Sequence, residues 1–337
     1  MAQENRTAAG HSPTVAEVAA EAGVSTATVS RTINGSATVS QETANKVSQA
    51  MKKLGYVPNA SARALRSQRT GTIGVILPGF DNLFYFELLP HIEAECRKHG
   101  YAVLIAGGED PTAECQRLAN SRTVDGILIV SSSWEPNKKP LTDKDISLPV
   151  LSFDRPIGHS NLPLVYTDNV AGAETICQHL IDCGAKSILH IEGPKGSPVS
   201  EERKSGFLKA CAQAELEDVQ LAPGDFTAES GAEVVEKRLD NLPEAIFAAN
   251  DLMAIGALMT CAKHDVLVPD EVLIAGFDGI TTASLVQPSL TTLIQPIEEM
   301  ARVAVEQLIQ RVSGEDSAAP STFRIPGTLR VGGSTTR

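Results

Sequence analysis

The sequence predicts an α/β protein: a small N-terminal head of helix-turn-helix type, followed by a larger core of two lobes built on parallel sheets. Three observations carry that expectation. Before residue 57, apolar residues recur at helical spacing in three short segments. From Thr72 onward, strand-like apolar runs alternate with amphipathic helical ones, the pattern of parallel sheets covered by helices. These runs are about twice as many as one open sheet of ordinary size needs, and they divide near residues 167–170.

The elements can be justified in order. Residues 1–12 are polar and aperiodic and are expected to be disordered. Thr14 followed by Glu17 forms a capping box, and Val15, Val18, Ala19 and Ala22 make one apolar stripe, so a first short helix is expected there. Gly23 breaks it and Ser25 caps a second helix over 26–34, with Val29 and Ile33 facing inward. Ser40 and Thr43 open a third, which buries Val47, Ala50, Met51 and Leu54 and stops at Gly55. Residues 59–66 have helical propensity but only one large apolar residue, Leu65, so that segment is marginal alone. The predicted strands are 72–77, 101–106, 126–130, 149–153, 187–191, 245–249 and 272–277. Helices are expected over 84–98, 170–183, 201–214, 228–239 and 251–264, and a C-terminal helix (298–312) and strand (322–325) return to the first lobe. The expected division is therefore a head at 13–58, a hinge helix and linker at 59–71, and a core at 72–337. Lobe one takes about 72–168 and 298–337, and lobe two 169–297.

A chain of 337 residues has room for two or three domains with real cores. With 42% hydrophobic and 21% charged residues, it is neither a disordered chain nor a disulfide scaffold. No apolar run reaches the roughly 18 residues of a membrane helix, and the first residues lack the apolar stretch of a signal peptide, so a cytoplasmic location is expected. Cys96, Cys115, Cys177, Cys183, Cys211 and Cys261 are scattered without a C-x-x-C pair and read as reduced structural thiols. No metal or cofactor is expected. The signatures of dinucleotide, nucleotide-triphosphate, serine-hydrolase and zinc-protease sites are all missing, which argues against an enzyme.

The net charge of −12 is unevenly placed. Residues 13–70 hold seven Lys and Arg against three Glu, a local charge of +4, leaving −16 to the remainder. A small basic unit on a large acidic one is the footprint of a DNA-binding head.

The segment from Thr14 through Gly35 and on to Leu65 resembles the DNA-binding head of the LacI/GalR family of transcriptional regulators. Landmarks in the family order follow: Gly74-Val-Ile-Leu-Pro, Asp125-Gly-Ile-Leu, Phe153-Asp-Arg, Asn250-Asp-Leu-Met-Ala-Ile-Gly, Ala275-Gly-Phe-Asp and Pro288-Ser-Leu-Thr-Thr-Leu. The resemblance implies that the second helix enters the major groove. Thr26, Ala27 and Arg31 would then meet base edges, and Ser25, Ser30, Asn34 and Tyr56 would hold phosphates. It also implies that 59–66 is a hinge helix paired with a second copy on DNA, with Leu65 wedged between central base pairs in the minor groove. Ala62 would allow close approach to the groove floor, and Asn59 and Arg66 belong to the same contact.

The lobes are similar to the periplasmic sugar-binding proteins, and to their pentose-binding members most closely. Residue by residue, that likeness implies ligand contacts by Asn82, Phe84, Tyr85, Asp154, Arg155, Arg203, Phe226, Asn250, Asp278 and Gln295. The chemistry of the set agrees independently: two carboxylates balance two guanidiniums, carboxamides add donors and acceptors, and flat rings cover the apolar faces of a sugar. The implied protein is a homodimeric repressor on a pseudo-palindromic operator, released by a small sugar, ribose first. A ribonucleoside such as uridine, a phosphorylated pentose, or a corepressor mode stay open. Two departures from the family pattern, Leu83 where proline is common and Pro90-His91 in the next helix, point to a reshaped cleft mouth.

Overall fold

Thr14 and Glu17 close the reciprocal cap that their spacing predicts. The Glu17 N–H donates to Thr14 Oγ1 at 3.3 Å and the Thr14 N–H donates to Glu17 Oε2 at 2.7 Å, opening α1 (Val15–Ala22). Gly23 ends α1 at φ 66°, a conformation that costs glycine little. Ser25 then accepts the Thr28 N–H at 3.1 Å and starts α2 (Thr26–Ile33). Ser40 caps α3 (Gln41–Leu54) in the same way. Val18, Ala19, Val29, Val47 and Ala50 form the small core between the three helices. The computed structural model describes residues 13–33, 39–56, 69–78, 82–108, 110–130, 146–155, 162–315 and 322–336. The chain divides into two units between Thr70 and Gly71. The expected disorder at 1–12 and the hinge helix at 59–66 lie outside the described residues.

The core carries two six-stranded sheets. The first contains β1 (Thr72–Leu77), β2 (Ala102–Gly107), β3 (Gly126–Val130), β4 (Val150–Phe153), β5 (Leu164–Thr167) and β11 (Thr322–Ile325) in the order β11-β5-β4-β3-β1-β2, all parallel. It is covered by α4 (Leu83–Lys98), α5 (Pro111–Ser121) and α10 (Ile297–Ser313). The second contains β6 (Ser187–Ile191), β7 (Asp218–Ala222), β8 (Ala245–Ala248), β9 (Leu273–Asp278), β10 (Thr291–Ile294) and β12 (Thr328–Arg330) in the order β12-β10-β9-β8-β6-β7. Here only β12 runs antiparallel.

Strand periodicity separates the two faces of the second sheet. Ile188, Ala245, Phe247, Leu273, Ala275 and Phe277 pack toward α6 (Asn169–Asp182) and α7 (Pro198–Gln213). Leu189, Ile191, Ile246, Ala248 and Ile274 pack toward α8 (Ala228–Glu236) and α9 (Asp251–Lys263). The six cysteines are free thiols, five of them buried and Cys183 half-buried.

The chain crosses between the sheets three times: at Asp168, at Gln295-Pro296 and at Pro326-Gly327. The third crossing corrects the sequence reading, which placed everything from 298 to the end in lobe one. β11 does return there, but β12 pairs with β10 of lobe two, and Ser334 then bridges the Thr291 N–H and the Ile274 carbonyl. Gly327 permits this, because a Cβ there would stand 2.6 Å from Leu293 Cδ2 and 2.9 Å from the Ile294 carbonyl. A three-residue strand has too little pattern to be read in advance.

His190 sits in β6 at the centre of lobe two, fully buried between the rings of Phe207 and Phe247 at 5.0 and 4.7 Å. Its Nδ1–H donates to the Phe247 carbonyl at 2.9 Å, and Nε2 has no partner. Burial, helped by the nearby charges of Arg203 and Lys204, pushes its pKa down to about 3. The unfolded chain takes up this proton below about 6.5 and the folded one does not until about 3, so stability falls as pH drops through that window, at about 1.4 kcal/mol per pH unit. His190→Phe is expected to be less stable at pH 7 yet to lose less stability between pH 6.5 and 4. Urea unfolding at the two pH values measures this, and an unchanged acid slope rules the histidine out as its source.

Candidate functional site

Parallel strands end in turns that lead into helix N-termini, so polar side chains collect at the C-terminal edge of each sheet. Both edges meet at one cavity, which is lined by Asn82, Phe84, Tyr85, Asp154, Arg155, Arg203, Phe226, Asn250, Asp278 and Gln295. These are the ten residues singled out from the sequence, and the fold brings all of them together. Asn82 caps α4 by accepting the Phe84 N–H at 3.0 Å, and Asn250 caps α9 by accepting the Met253 N–H at 3.0 Å while donating to the Phe226 carbonyl at 3.0 Å. Phe84 and Tyr85 meet edge to face at 5.7 Å. Burial pushes the Tyr85 phenol up to about 12, so it remains a neutral hydroxyl.

Two ion pairs organise the charges. Asp154 Oδ2 accepts from Arg155 Nε and Nη2, both at 3.3 Å. Asp278 Oδ1 faces Arg203 Nη1 at 3.2 Å and accepts from Gln295 Nε2 at 2.8 Å. Arg203 also donates from Nη1 to the Ala249 carbonyl at 2.5 Å and lies 3.7 Å over the Phe277 ring. Burial pushes the Asp278 carboxyl up to about 6, against the opposing pull of Arg203 and Gln295. Asp154 Oδ1 is buried and accepts no hydrogen bond. Asp154, Phe226 and Asp278 hold φ values of 67°, 72° and 119°, conformations that side-chain-bearing residues keep only where surrounding structure imposes them. Gly193 makes room for the Phe226 ring, since a Cβ there would stand 2.3 Å from it.

In the head, Thr26, Ala27 and Arg31 are exposed along one side of α2, opposite buried Val29. Ser25 is exposed but commits its hydroxyl to the helix cap, Ser30 is half-buried, and Tyr56 packs its ring on the head core. Asn34, Asn59, Ala62, Leu65 and Arg66 lie outside the described residues.

Residues 14–59 match the family described as bacterial regulatory proteins, lacI family, and 177–335 match a periplasmic binding protein-like domain. A ribose operon repressor of Halalkalibacterium halodurans is 33% identical over 304 residues, covering 89% of this chain and 90% of that one. Catabolite control protein A of Priestia megaterium is also 33% identical, over 96% of this chain and 99% of its own. The chain belongs to the LacI family. The lac repressor dimer bound to operator and the anti-inducer ONPF superposes with a TM-score of 0.83 at 25% identity, over 97% of this chain and all of that one. The protein is accordingly a DNA-binding transcriptional repressor of the LacI family and not an enzyme.

Sequence reading of this LacI-family chain missed three buried residues just behind the cavity: Asp251, Thr167 and Asn169. Asp251 accepts the Ile280 N–H at 2.9 Å and the Thr292 hydroxyl at 2.5 Å, fixing the turn that follows Asp278. Its only sequence signal is its place beside Asn250. Of the two departures noted at the cleft, Leu83 is exposed at the start of α4 and Pro90 is exposed within it, and neither lines the cavity. Among the described residues no group of three or more His, Cys, Asp or Glu could hold a metal ion, and no helix is long and apolar enough to cross a membrane.

Gly193→Ala is expected to force the Phe226 ring out of place and to destabilise the core by about 1–3 kcal/mol. Adding Phe226→Leu should recover part of the loss. Urea midpoints of the three proteins measure it, and a fully stable Gly193→Ala refutes the contact.

Proposed function

We propose that this repressor is a homodimer released from a pseudo-palindromic operator by a small neutral sugar, D-ribose. One observation carries the choice of ligand: Asp154 presents a buried carboxylate oxygen with no donor, in a cavity whose two guanidiniums already face carboxylates. A ligand there has to bring hydroxyl donors, and it meets no surplus positive charge to neutralise a phosphate. Phe84, Tyr85 and Phe226 supply flat surfaces for a sugar ring. The relative named ribose operon repressor supports the reading, and since relatives of other names are as similar, the reading rests more on the chemistry of the cavity than on identity.

Sugar binding has to favour one lobe arrangement over the other, since equal affinity for the free and operator-bound forms shifts nothing. In the dimer reading, exposed apolar residues Phe86 and Ile105 on lobe one and Met259 and Leu285 on lobe two, 46%, 48%, 65% and 77% exposed, are the surfaces covered by the second copy. Arg31 reads a guanine, and Leu65 wedges the minor groove.

Calorimetric titration is expected to show tight binding of D-ribose and weak or no binding of uridine and ribose 5-phosphate. The preference reversed would move the ligand and keep the regulator. Because a hydroxyl donates to the ionised form of Asp278, ribose affinity should fall as pH drops below about 6, the value to which burial raises that carboxyl. A flat profile from pH 7 to 5 would remove Asp278 from the contact.

On operator DNA, Arg31→Ala should cost about 1–3 kcal/mol and relax preference at one base pair. Leu65→Ala should weaken operator binding while ribose titration is unchanged. Gel-shift titration of a dimer verified by light scattering tests both, and wild-type affinity in either variant ends that assignment.

A further inference from the structure

Thr167 and Asn169 flank the first crossing between the sheets, one closing β5 and the other opening α6. Both are buried, and neither lines the cavity. Each nevertheless commits its side chain to a residue that does. The Thr167 hydroxyl donates to Gln295 Oε1 at 2.6 Å, which leaves Gln295 Nε2 to meet Asp278 Oδ1 at 2.8 Å. A carboxylate only accepts, so Asp278 takes the nitrogen end of Gln295, and the Thr167 hydroxyl donates to the oxygen end and holds the carboxamide from the other side.

The other flank works by the same logic. Arg203 Nε–H donates to Asn169 Oδ1 at 2.9 Å, while Asn169 Nδ2 donates to Glu202 Oε2 at 3.0 Å. An ionised Glu202 only accepts, so it turns the asparagine nitrogen toward itself and the oxygen toward Arg203. At Gly206, one turn beyond Arg203, a Cβ would stand 2.2 Å from the Val170 carbonyl, so α7 lies directly against the start of α6. With Arg203 facing Asp278 at 3.2 Å, the contacts form a closed circuit: crossing, Gln295, Asp278, Arg203, and crossing again. Asp168, between the two flanks, donates its N–H to the Ile325 carbonyl at 2.9 Å and so ties in the third crossing.

We infer that Thr167 and Asn169, with Glu202, are positioning residues that hold Gln295 and Arg203 at the cavity from the first crossing between the lobes. Contacts to the effector and the geometry of the crossing then change together. This rests on the effector reading above, and it adds the device by which occupancy of the cavity is felt at the crossing.

The test pairs a disabling variant with a restoring one on each flank. Thr167→Val keeps the shape and removes the hydroxyl, whereas Thr167→Ser keeps the hydroxyl. Asn169→Ala removes both hydrogen bonds. Asn169→Asp combined with Glu202→Gln restores them with exchanged roles, the new carboxylate accepting from Arg203 and from the new amide. D-ribose affinity is expected to fall about tenfold in each disabling variant and to return to within about threefold in each restoring one, the range of one or two buried hydrogen bonds. Urea midpoints run alongside, because a purely structural role makes affinity track stability. Wild-type affinity in Thr167→Val and Asn169→Ala overturns the inference, as does a folded double variant that stays disabled. A second readout needs no ligand: the Arg203 Nε–H NMR signal should exchange slowly in the wild type and in the double variant, and rapidly in Asn169→Ala. If the wild type binds no sugar, the ribose reading fails and this signal alone decides, slow exchange in Asn169→Ala overturning the positioning role and its loss supporting it.

Discussion

Arg203 is a guanidinium taken out of water where the two lobes meet, and much of the surrounding structure compensates for that burial. A buried charge with one partner removed costs about 3–5 kcal/mol, so such a group is kept only where every direction around it is answered. Here Asp278 supplies the opposite charge, the Ala249 carbonyl and Asn169 accept further N–H groups, and the Phe277 ring covers the flat face. The pair contributes little net stability by itself. What it contributes is definition, because there is one arrangement of strand ends in which all four answers are present.

That arrangement comes from sheet topology. Parallel strands place Asp154 at the end of β4, on the C-terminal edge of the first sheet, and Asn250 after β8, Asp278 at the end of β9 and Gln295 after β10 on that of the second. The three crossings hold the two edges together, and their lateral hydrogen bonds make the junction a continuous polar seam. The positive φ values at Asp154, Phe226 and Asp278 show where backbone preference has been overridden to aim a side chain. Burial of the apolar strand runs on both faces supplies the energy that keeps these conformations in place.

Much of this was legible in the chain. The head could be read from its caps, since Thr14 with Glu17, Ser25 and Ser40 are local devices whose partners lie three residues away. The predominantly apolar strands β1, β3, β6, β8 and β9 were equally plain. β5, β7, β10 and β12 and the helix α5 were not anticipated: β5 and β10 mix threonine and tyrosine with their apolar residues, and β7 and β12 are edge strands with exposed positions. The ten cavity residues were singled out by the residue-by-residue likeness to pentose-binding proteins, each standing in a short motif of the chain. Thr167, Asn169 and Asp251 were not, because their roles are carried by partners 128, 34 and 41 residues away in the chain.

The sequence by itself determined the three head helices and most of the core helices and strands, that a basic head is joined to an acidic two-lobed core, and which side chains carry polar chemistry. Those properties are local, set by period, caps and composition over a few residues. Tertiary structure decided which polar atoms satisfy one another. It paired Asp278 with Arg203, left Asp154 Oδ1 buried without a donor, held Gln295 between Thr167 and Asp278, and sent the last strand to lobe two. Each of these depends on distances between strand ends that meet only after both sheets have formed, and no local pattern encodes such a distance.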